Sequence, residues 1–248
     1  MHSLYVDHMG SDDSIVNAAR ISMDKLASMY TPQQNNQLIK FLALGMSSKA
    51  FEKDIQSILT GQLSYEEVKD ILFEYKNKAT HWTPFAHTAV TLRMKAPVPI
   101  RTQCFKHKQG LVENEESRRY INSTPELFIP EFRLRPEGSI KQGSAGSHPY
   151  NKYWVNRYTE ECNHMIQTYE DMIANNIAPE QARFVLPQGC EVNWIWTGNV
   201  LAYANFYNKR SDNHAQKEIQ ELAEQVSNII APLYPMSWEA LTGVVYEG

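Results

Sequence analysis

The chain has 248 residues, 24 Lys+Arg against 28 Asp+Glu for a formal net charge of −4, and 42% hydrophobic residues. Five Trp, thirteen Tyr and nine Phe supply core-forming surface for one large or two small domains, which excludes disordered, fibrous and collagen-like chains. No apolar run nears the ~18 residues of a membrane helix, Met1 to Asp7 carry no basic-then-apolar leader, and the mild acidity argues against a protein that coats nucleic acid while leaving room for a local anion pocket.

Thr31 as N-cap, Pro32 at the first helical position and Gln34 at the third mark a helix start, followed by apolar Leu38, Phe41, Leu42 and Leu44. Ser64 with Glu67 repeats the device before Val68, Ile71, Leu72 and Tyr75. From His87 to Ala96 strict alternation sets Val90, Leu92, Met94 and Ala96 against Thr91, Arg93 and Lys95, the pattern of a half-buried strand. Pro97 and Pro99 end it and start a predicted helix through Cys104 to Lys108. Arg135 to Tyr150, rich in Gly and Ser, reads as a flexible loop. Helices are predicted over Tyr153–Asn175, Gly198–Asn208 and His214–Ile230, with a short turn from Pro179 through Val185 and a β-rich stretch at Val192–Trp196. Strands interspersed irregularly with helices, without a βαβ alternation or a GxGxxG turn, indicate an α+β fold. No repeat or low-complexity linker divides the chain, so residues 1–248 read as a single domain.

Chemistry concentrates in three clusters. Lys106 to Tyr120 holds Lys106, His107, Lys108, Arg118 and Arg119 among Asn114, Glu115, Glu116 and Ser117. Cations with mixed donors and acceptors suit a phosphate and a polar heterocycle, and equally suit a self-neutralising solvated loop. Thr80 to His87 carries His81 and His87 around Pro84; their spacing is not that of helical metal ligands, which leaves a rigid turn at the strand entry or a buried, hydrogen-bonded His. Asn199, Asn205 and Asn208 share one predicted helix, followed by Arg210 to Glu218, where Asp212 is a candidate cap for the next helix. Arg183 is a lone cation in an apolar run, which when buried must find an anion or acceptors. The cysteines Cys104, Cys162 and Cys190 form no CxxC pair, so a reduced, cytoplasmic protein without a disulfide framework is expected. Cys104 near His107 is either an activated nucleophile or, the commoner case, a small core thiol. Ser117 has no evident base beside it.

Taken in order, these residues resemble the flavin-dependent thymidylate synthase (ThyX) family. Its signature RHR…S-x-NExSxRY is matched by Lys106-His107-Lys108 and Asn114 to Tyr120. His81-x-Thr83-Pro84-Phe85-x-His87, Ala182-Arg183-x-Val185-Leu186-Pro187 and Asn208-x-Arg210-x-Asp212-x-His214-Ala215-Gln216-x-Glu218-Ile219 match as well, as does Ala19-Arg20-Ile21-Ser22. The resemblance implies an antiparallel sheet packed with several helices and a homotetramer with FAD sites shared between subunits. It implies reductive methylation of dUMP to dTMP with 5,10-methylenetetrahydrofolate as carbon donor and NADPH as reductant through FAD. Carried over position by position, Gln103, Cys104, Phe105, Lys106, Glu115, Glu116, Ser117, Arg118, Arg119, Arg183 and Arg210 would contact dUMP. Ser22, His81, Thr83, Lys106, His107, Lys108, Asn114, Glu115, Asn199, Val200, Leu201 and Asn205 would serve FAD. Arg210 would be the catalytic residue, polarising the uracil ring with a guanidinium that is always charged. Reduced flavin then makes an enzyme thiol unnecessary.

The sequence also departs from the family. Lys106 and Lys108 stand where two arginines are usual, and an ammonium does not reproduce a bidentate fork. Ala86 and Leu201 replace residues that are often polar, and the Lys106 to Tyr120 run is one residue longer than usual. The alternatives are a nucleotide- or nucleic-acid-binding module of the same fold without catalysis, with Lys106, Lys108, Arg118 and Arg119 as a phosphate clamp, and a degenerate member that binds FAD for a structural role.

Overall fold

A computed structural model describes residues 1–61, 63–138 and 143–247. In chain order the elements are β1 (His2–Met9), α1 (Asp12–Arg20), α2 (Pro32–Leu44), α3 (Ser48–Leu59), α4 (Tyr65–Asn77), β2 (Ala89–Pro97), α5 (Val98–Cys104), β3 (Leu111–Glu115), α6 (Asn151–Ala174), α7 (Pro179–Ala182), β4 (Glu191–Gly198), α8 (Val200–Arg210), α9 (Lys217–Ile230) and α10 (Pro235–Thr242). The strands form one sheet in the order β1-β2-β4-β3, with β3 antiparallel to β4, and the α+β expectation holds. The chain gathers into two compact units: Met1–Asp7, Thr91–Gly198 and Asn205–Asn228 make the first, and His8–Val90, Asn199–Ala204 and Ile229–Gly248 the second.

In the first unit the alternation read from sequence orients β2, with Leu92, Met94 and Ala96 fully buried. On β4 the same period buries Val192, Trp194 and Trp196. Phe105 meets Trp194 edge-on with ring centroids 5.6 Å apart, and Phe206 meets Trp196 at 4.9 Å, the offset geometry that aromatic quadrupoles favour. Helix α9 contributes Ile219, Leu222, Ala223 and Val226, all fully buried and spaced as one helical stripe. Leu111 pairs with Gly198 in the β3–β4 register; a Cβ on Gly198 would strike the Leu111 side chain and lie 2.6 Å from the Gly110 carbonyl, so only glycine lets the strands close.

Three expectations for this unit are corrected. The helix opened by Pro97 and Pro99 stops at Cys104 rather than running to Lys108: after two tighter turns, Lys106 N–H to Gln103 O and His107 N–H to Cys104 O, Gly110 at φ 74° launches β3. The polar run read as a site or a loop therefore contains an edge strand, hidden because only Leu111 in it is buried. Helix α9 begins at Lys217 rather than His214, because the Asp212 carboxylate accepts the His214 N–H at 2.8 Å and closes a turn ahead of the helix instead of capping it. Leu134, just ahead of the predicted Gly/Ser loop, donates its N–H to the carbonyl of Gly146 within it, and Arg133 pairs with the buried Glu218 at 2.6 Å; residues 139–142 of that loop lie outside the described residues.

In the second unit both predicted capping boxes are present: Gln34 N–H bonds Thr31 Oγ1 at 3.3 Å, and Glu67 N–H bonds Ser64 Oγ at 3.3 Å, each with the reciprocal bond. On α2 the buried positions are Asn35, Ile39 and Leu42, while Phe41 is largely exposed. Helix α2 packs on α10, with Lys40 and Glu239 paired at 2.8 Å. The buried Asp12 carboxylate accepts from the N–H groups of Met236 and Ser237 and from Ser237 Oγ, capping the start of α10 from a distant part of the chain. Strand β1 and helices α1, α3 and α10 have no counterpart in the sequence reading.

Candidate active site

In the first unit, α5 and the end of β3 converge on a cavity of about 530 Å³ lined by Arg101, Glu115, Glu116, Ser117, Arg118, Arg119 and Arg183, with Cys190, Glu191 and Val192 among the remaining walls. The segment after β3 reaches it because Glu116 N–H bonds the Asn193 carbonyl at 2.9 Å, Asn193 Nδ2 returns a bond to Glu116 Oε2 at 3.0 Å, and the chain then turns through a Ser117 O to Tyr120 N–H bond. Five residues of the signature run and Arg183, far apart in sequence, thus share one wall system.

The charges of this cavity do not balance. Arg118 donates to the Ser123 carbonyl, Arg119 Nε to Ser117 Oγ at 3.5 Å and Arg183 Nε to the Glu180 carbonyl at 3.3 Å. All three partners are neutral oxygens, and among the described residues none of the three guanidiniums has a carboxylate partner. Of the acidic residues, Glu191 pairs with the amino terminus at 2.6 Å and Glu115 with Arg101 at 2.9 Å, while Glu116, held by the neutral Asn193 amide, keeps its charge and is outnumbered by the three arginines. Burial raises the Glu115 carboxyl above its ordinary value, against the lowering field of Arg101. Such an arrangement attracts an anion, and phosphate in particular matches several guanidinium forks. Arg183 is exposed rather than buried, so it is free to meet a ligand. Arg101 was missed in the sequence; its only signal was its place one helical turn before Phe105, over whose ring it lies at 5.2 Å.

A second cluster of the first unit gathers Gln103, His107, Arg210 and Gln216. Arg210 Nε donates to His107 Nε2 at 2.9 Å and Arg210 Nη2 to the Gln103 carbonyl at 3.3 Å. Gln103 Nε2 in turn donates to Gln216 Oε1 at 2.8 Å. Burial, then the charges of Arg210 and Lys209, push the His107 pKa down to about 4. Asn205 lies exposed on the same helix as Arg210. Cys104 is fully buried and its thiol is pushed up to about 12 by desolvation, so it is a core residue rather than a nucleophile. Lys108 is paired with Glu113 and lies 5.4 Å over Phe105, whereas exposed Lys106 makes no ion pair among the described residues. Asn114 projects from β3 into solvent.

The second unit holds the other residues expected at a flavin. The predicted turn at the strand entry is a 3-10 turn, Thr83–His87, with Pro84 and Phe85 buried. Neither histidine there is buried; His81 stacks on Phe41 with centroids 5.4 Å apart. Thr88 Oγ1 donates to the Phe85 carbonyl at 2.8 Å and accepts the Val200 N–H at 3.0 Å, tying the turn to the start of α8. Asn199 caps that helix, its Oδ1 accepting the Ala202 N–H at 2.9 Å, which leaves its Nδ2 donors for a ligand. Val200 is fully buried with its N–H spent on Thr88, Leu201 is half-buried, and Ser22 is exposed on a short 3-10 turn. Each unit by itself offers donors whose chemistry suits a flavin dinucleotide: the exposed Lys106 ammonium and the half-buried His107 imidazole in the first, and the half-buried Asn199 amide in the second.

Fold and site together define an α+β protein with a cavity lined by three arginines that have no carboxylate partner among the described residues. The model of the family described as thymidylate synthase complementing protein matches residues 5–236, and the chain belongs to that family, the flavin-dependent thymidylate synthases. The flavin-dependent thymidylate synthase of Thermotoga neapolitana is 30% identical over 249 residues, covering 98% of this chain and 91% of the relative. That of Thermosipho africanus is 28% identical over 245 residues, covering 98% and 91%. Among solved structures, a UMP/dUMP methylase PolB from Streptomyces cacaoi, crystallised with 5-Br dUMP, superposes with a TM-score of 0.73 at 24% identity, covering 97% of this chain and 94% of that one; it shows the shared fold.

Proposed function

We propose that this protein methylates dUMP to dTMP reductively, with 5,10-methylenetetrahydrofolate as carbon donor and NADPH as reductant through FAD, without an enzyme nucleophile. The observation that carries the reading is the set of three guanidiniums, Arg118, Arg119 and Arg183, that line one cavity without a carboxylate partner among the described residues. A dianionic 5′-phosphate supplies the missing charge, the Ser117 hydroxyl can donate to or accept from the sugar and base, and the Glu115 carboxylate can accept. The names of the relatives and the brominated dUMP held by the structural neighbour support the same substrate.

Bound FAD supplies reducing equivalents, which removes the need for a thiol attack on the pyrimidine. Lys106, His107, Lys108, Asn114, Glu115 and Asn205 of the first unit, and Ser22, His81, Thr83, Asn199, Val200 and Leu201 of the second, are the residues the family pattern assigns to it. Arg210 presents a permanent positive charge to the uracil ring and stabilises negative charge developing there. The family pattern supports a homotetramer with shared flavin sites, a cytoplasmic location and one family domain running through both compact units. No helix among the described residues is long and apolar enough to cross a membrane.

The test is tritium release from 5-tritiated dUMP by the purified yellow protein, given NADPH and methylenetetrahydrofolate. Release dependent on all three supports the reading. A colourless protein that binds dUMP but neither takes up FAD nor releases tritium establishes a nucleotide-binding module instead, and a flavin-loaded protein without release establishes a degenerate member.

A further inference from the structure

Arg210 is held in a way that its role in the proposed reaction does not by itself require. Its guanidinium spends Nε on His107 Nε2 at 2.9 Å and Nη2 on the Gln103 carbonyl at 3.3 Å. Both acceptors belong to residues 103–107, the last two residues of α5 and the three that follow it, and that segment is tied to the first residue before α9 by the 2.8 Å bond from Gln103 Nε2 to Gln216 Oε1. The His107 ring is itself fixed, edge-on to Phe206 at 5.1 Å, and Phe206 is edge-on to the buried Trp196. Carboxylates near this cluster in sequence are committed elsewhere, Asp212 to His214 and Glu113 to Lys108.

We propose that His107 and Gln216 are positioning residues for Arg210, orienting its guanidinium through neutral acceptors only, so that its whole positive charge remains available to the substrate. The inference rests on the reading of Arg210 as the residue facing the uracil. A carboxylate partner would orient an arginine equally well and form a stronger bond, but it would cancel the field that the guanidinium exerts on a ligand a few ångströms away. An imidazole that accepts at Nε2 and is neutral must carry its proton on Nδ1. The groups around the ring agree: it is half-buried beside Arg210 and Lys209, which together hold it neutral well below physiological pH. Nδ1–H is then left as a donor, so His107 can serve the flavin with one nitrogen while orienting Arg210 with the other. Gln216 acts one step further out, preventing the 103–107 segment from drifting and taking both acceptors with it.

The experiment compares four variants of the flavin-loaded enzyme, reading flavin content, kcat, KM for dUMP and calorimetric dUMP affinity. His107→Leu removes the acceptor and is expected to lower kcat about 10- to 100-fold, the range for a lost hydrogen bond to a charged group. His107→Gln places an amide oxygen near the Nε2 position and recovers most of that loss. His107→Glu keeps an acceptor of the same shape with a charge, and recovers little of it at equal flavin content. Gln216→Leu lowers kcat about 2- to 10-fold with little change in KM, as for a lost neutral bond. Equal kcat in the Gln and Glu variants, or a Gln variant no better than Leu, overturns the proposal. A measurement on the unmodified enzyme covers the case of variants that misfold: the ¹⁵N spectrum of labelled histidine should show the His107 ring neutral at pH 7 with its proton on Nδ1. A proton on Nε2 overturns the proposal even where the enzyme is active. If the unmodified enzyme makes no dTMP, the proposed function fails by itself, and the tautomer still decides this inference.

Discussion

Replacing Arg183 by alanine isolates the anion-binding argument from the stability of the fold. Arg183 is exposed, and among the described residues the one protein bond it donates runs from Nε to the Glu180 carbonyl at 3.3 Å, so its loss should change folding stability by no more than about 0.5 kcal/mol. Both Nη groups remain for a ligand in the cavity it lines with Arg118 and Arg119. Charge-assisted hydrogen bonds of that kind are worth about 1.5–3 kcal/mol, which converts to a loss of roughly 10- to 150-fold in affinity. Calorimetric titration of the flavin-loaded Arg183→Ala variant with dUMP should therefore show that weakening, with an unfolding temperature close to that of the unmodified protein. Arg183→Lys should fall between the two, since an ammonium restores the charge without the planar fork. Raising the salt should narrow the gap, because the site is open to solvent. An Arg183→Ala protein that binds dUMP within about 2-fold of the original, with unchanged unfolding, would refute the claim that uncompensated arginines hold the phosphate.

Three further outcomes are expected. Cys104→Ala should retain dTMP formation at a cost of roughly 1 kcal/mol for the lost buried sulfur; a folded, flavin-loaded and inactive variant contradicts the absence of an enzyme nucleophile. Thr88→Val leaves the Val200 N–H buried without its acceptor, so it should cost about 1–3 kcal/mol and lower the unfolding temperature by roughly 2–12 °C in a scanning-calorimetry trace. Gly198→Ala forces a Cβ onto Leu111 and the Gly110 carbonyl and should destabilise the protein by about 1–3 kcal/mol, with hydrogen exchange accelerated first at the β3 amides; uniform protection across the sheet would count against the close β3–β4 approach.

The features legible in the sequence share a physical character: each is set by interactions within a few residues. The capping boxes at Thr31 and Ser64 depend on side chains three positions apart, and the alternation over Leu92, Met94 and Ala96 depends only on the two-residue period of a strand. Helix α1 was unread although Ser11 and Ser14 form a capping box of the same kind, whereas two strands carry no such local signal. Strand β1 is mostly exposed and β3 buries only Leu111, so neither shows the half-buried alternation that marks β2. The predicted helix to Lys108 overran because Pro97 and Pro99 mark where a helix starts and not where it stops, whereas the chain leaves the helix after Cys104 and turns through Gly110 into β3.

The same division runs through the site. The order of the motifs and the family were already contained in the chain, because side-chain chemistry and spacing are written in it directly. Which charges cancel and which remain was decided only by tertiary structure. Arg101 and Glu115 neutralise each other across a helix and a strand, while Arg118, Arg119 and Arg183 have no carboxylate partner among the described residues. His107 and Arg210 are 103 positions apart in sequence, yet 2.9 Å apart in space. Net charge is a sum over the whole chain, whereas an anion site depends on the local remainder after pairing, and pairing is set by register, helix ends and burial that no short stretch of sequence encodes.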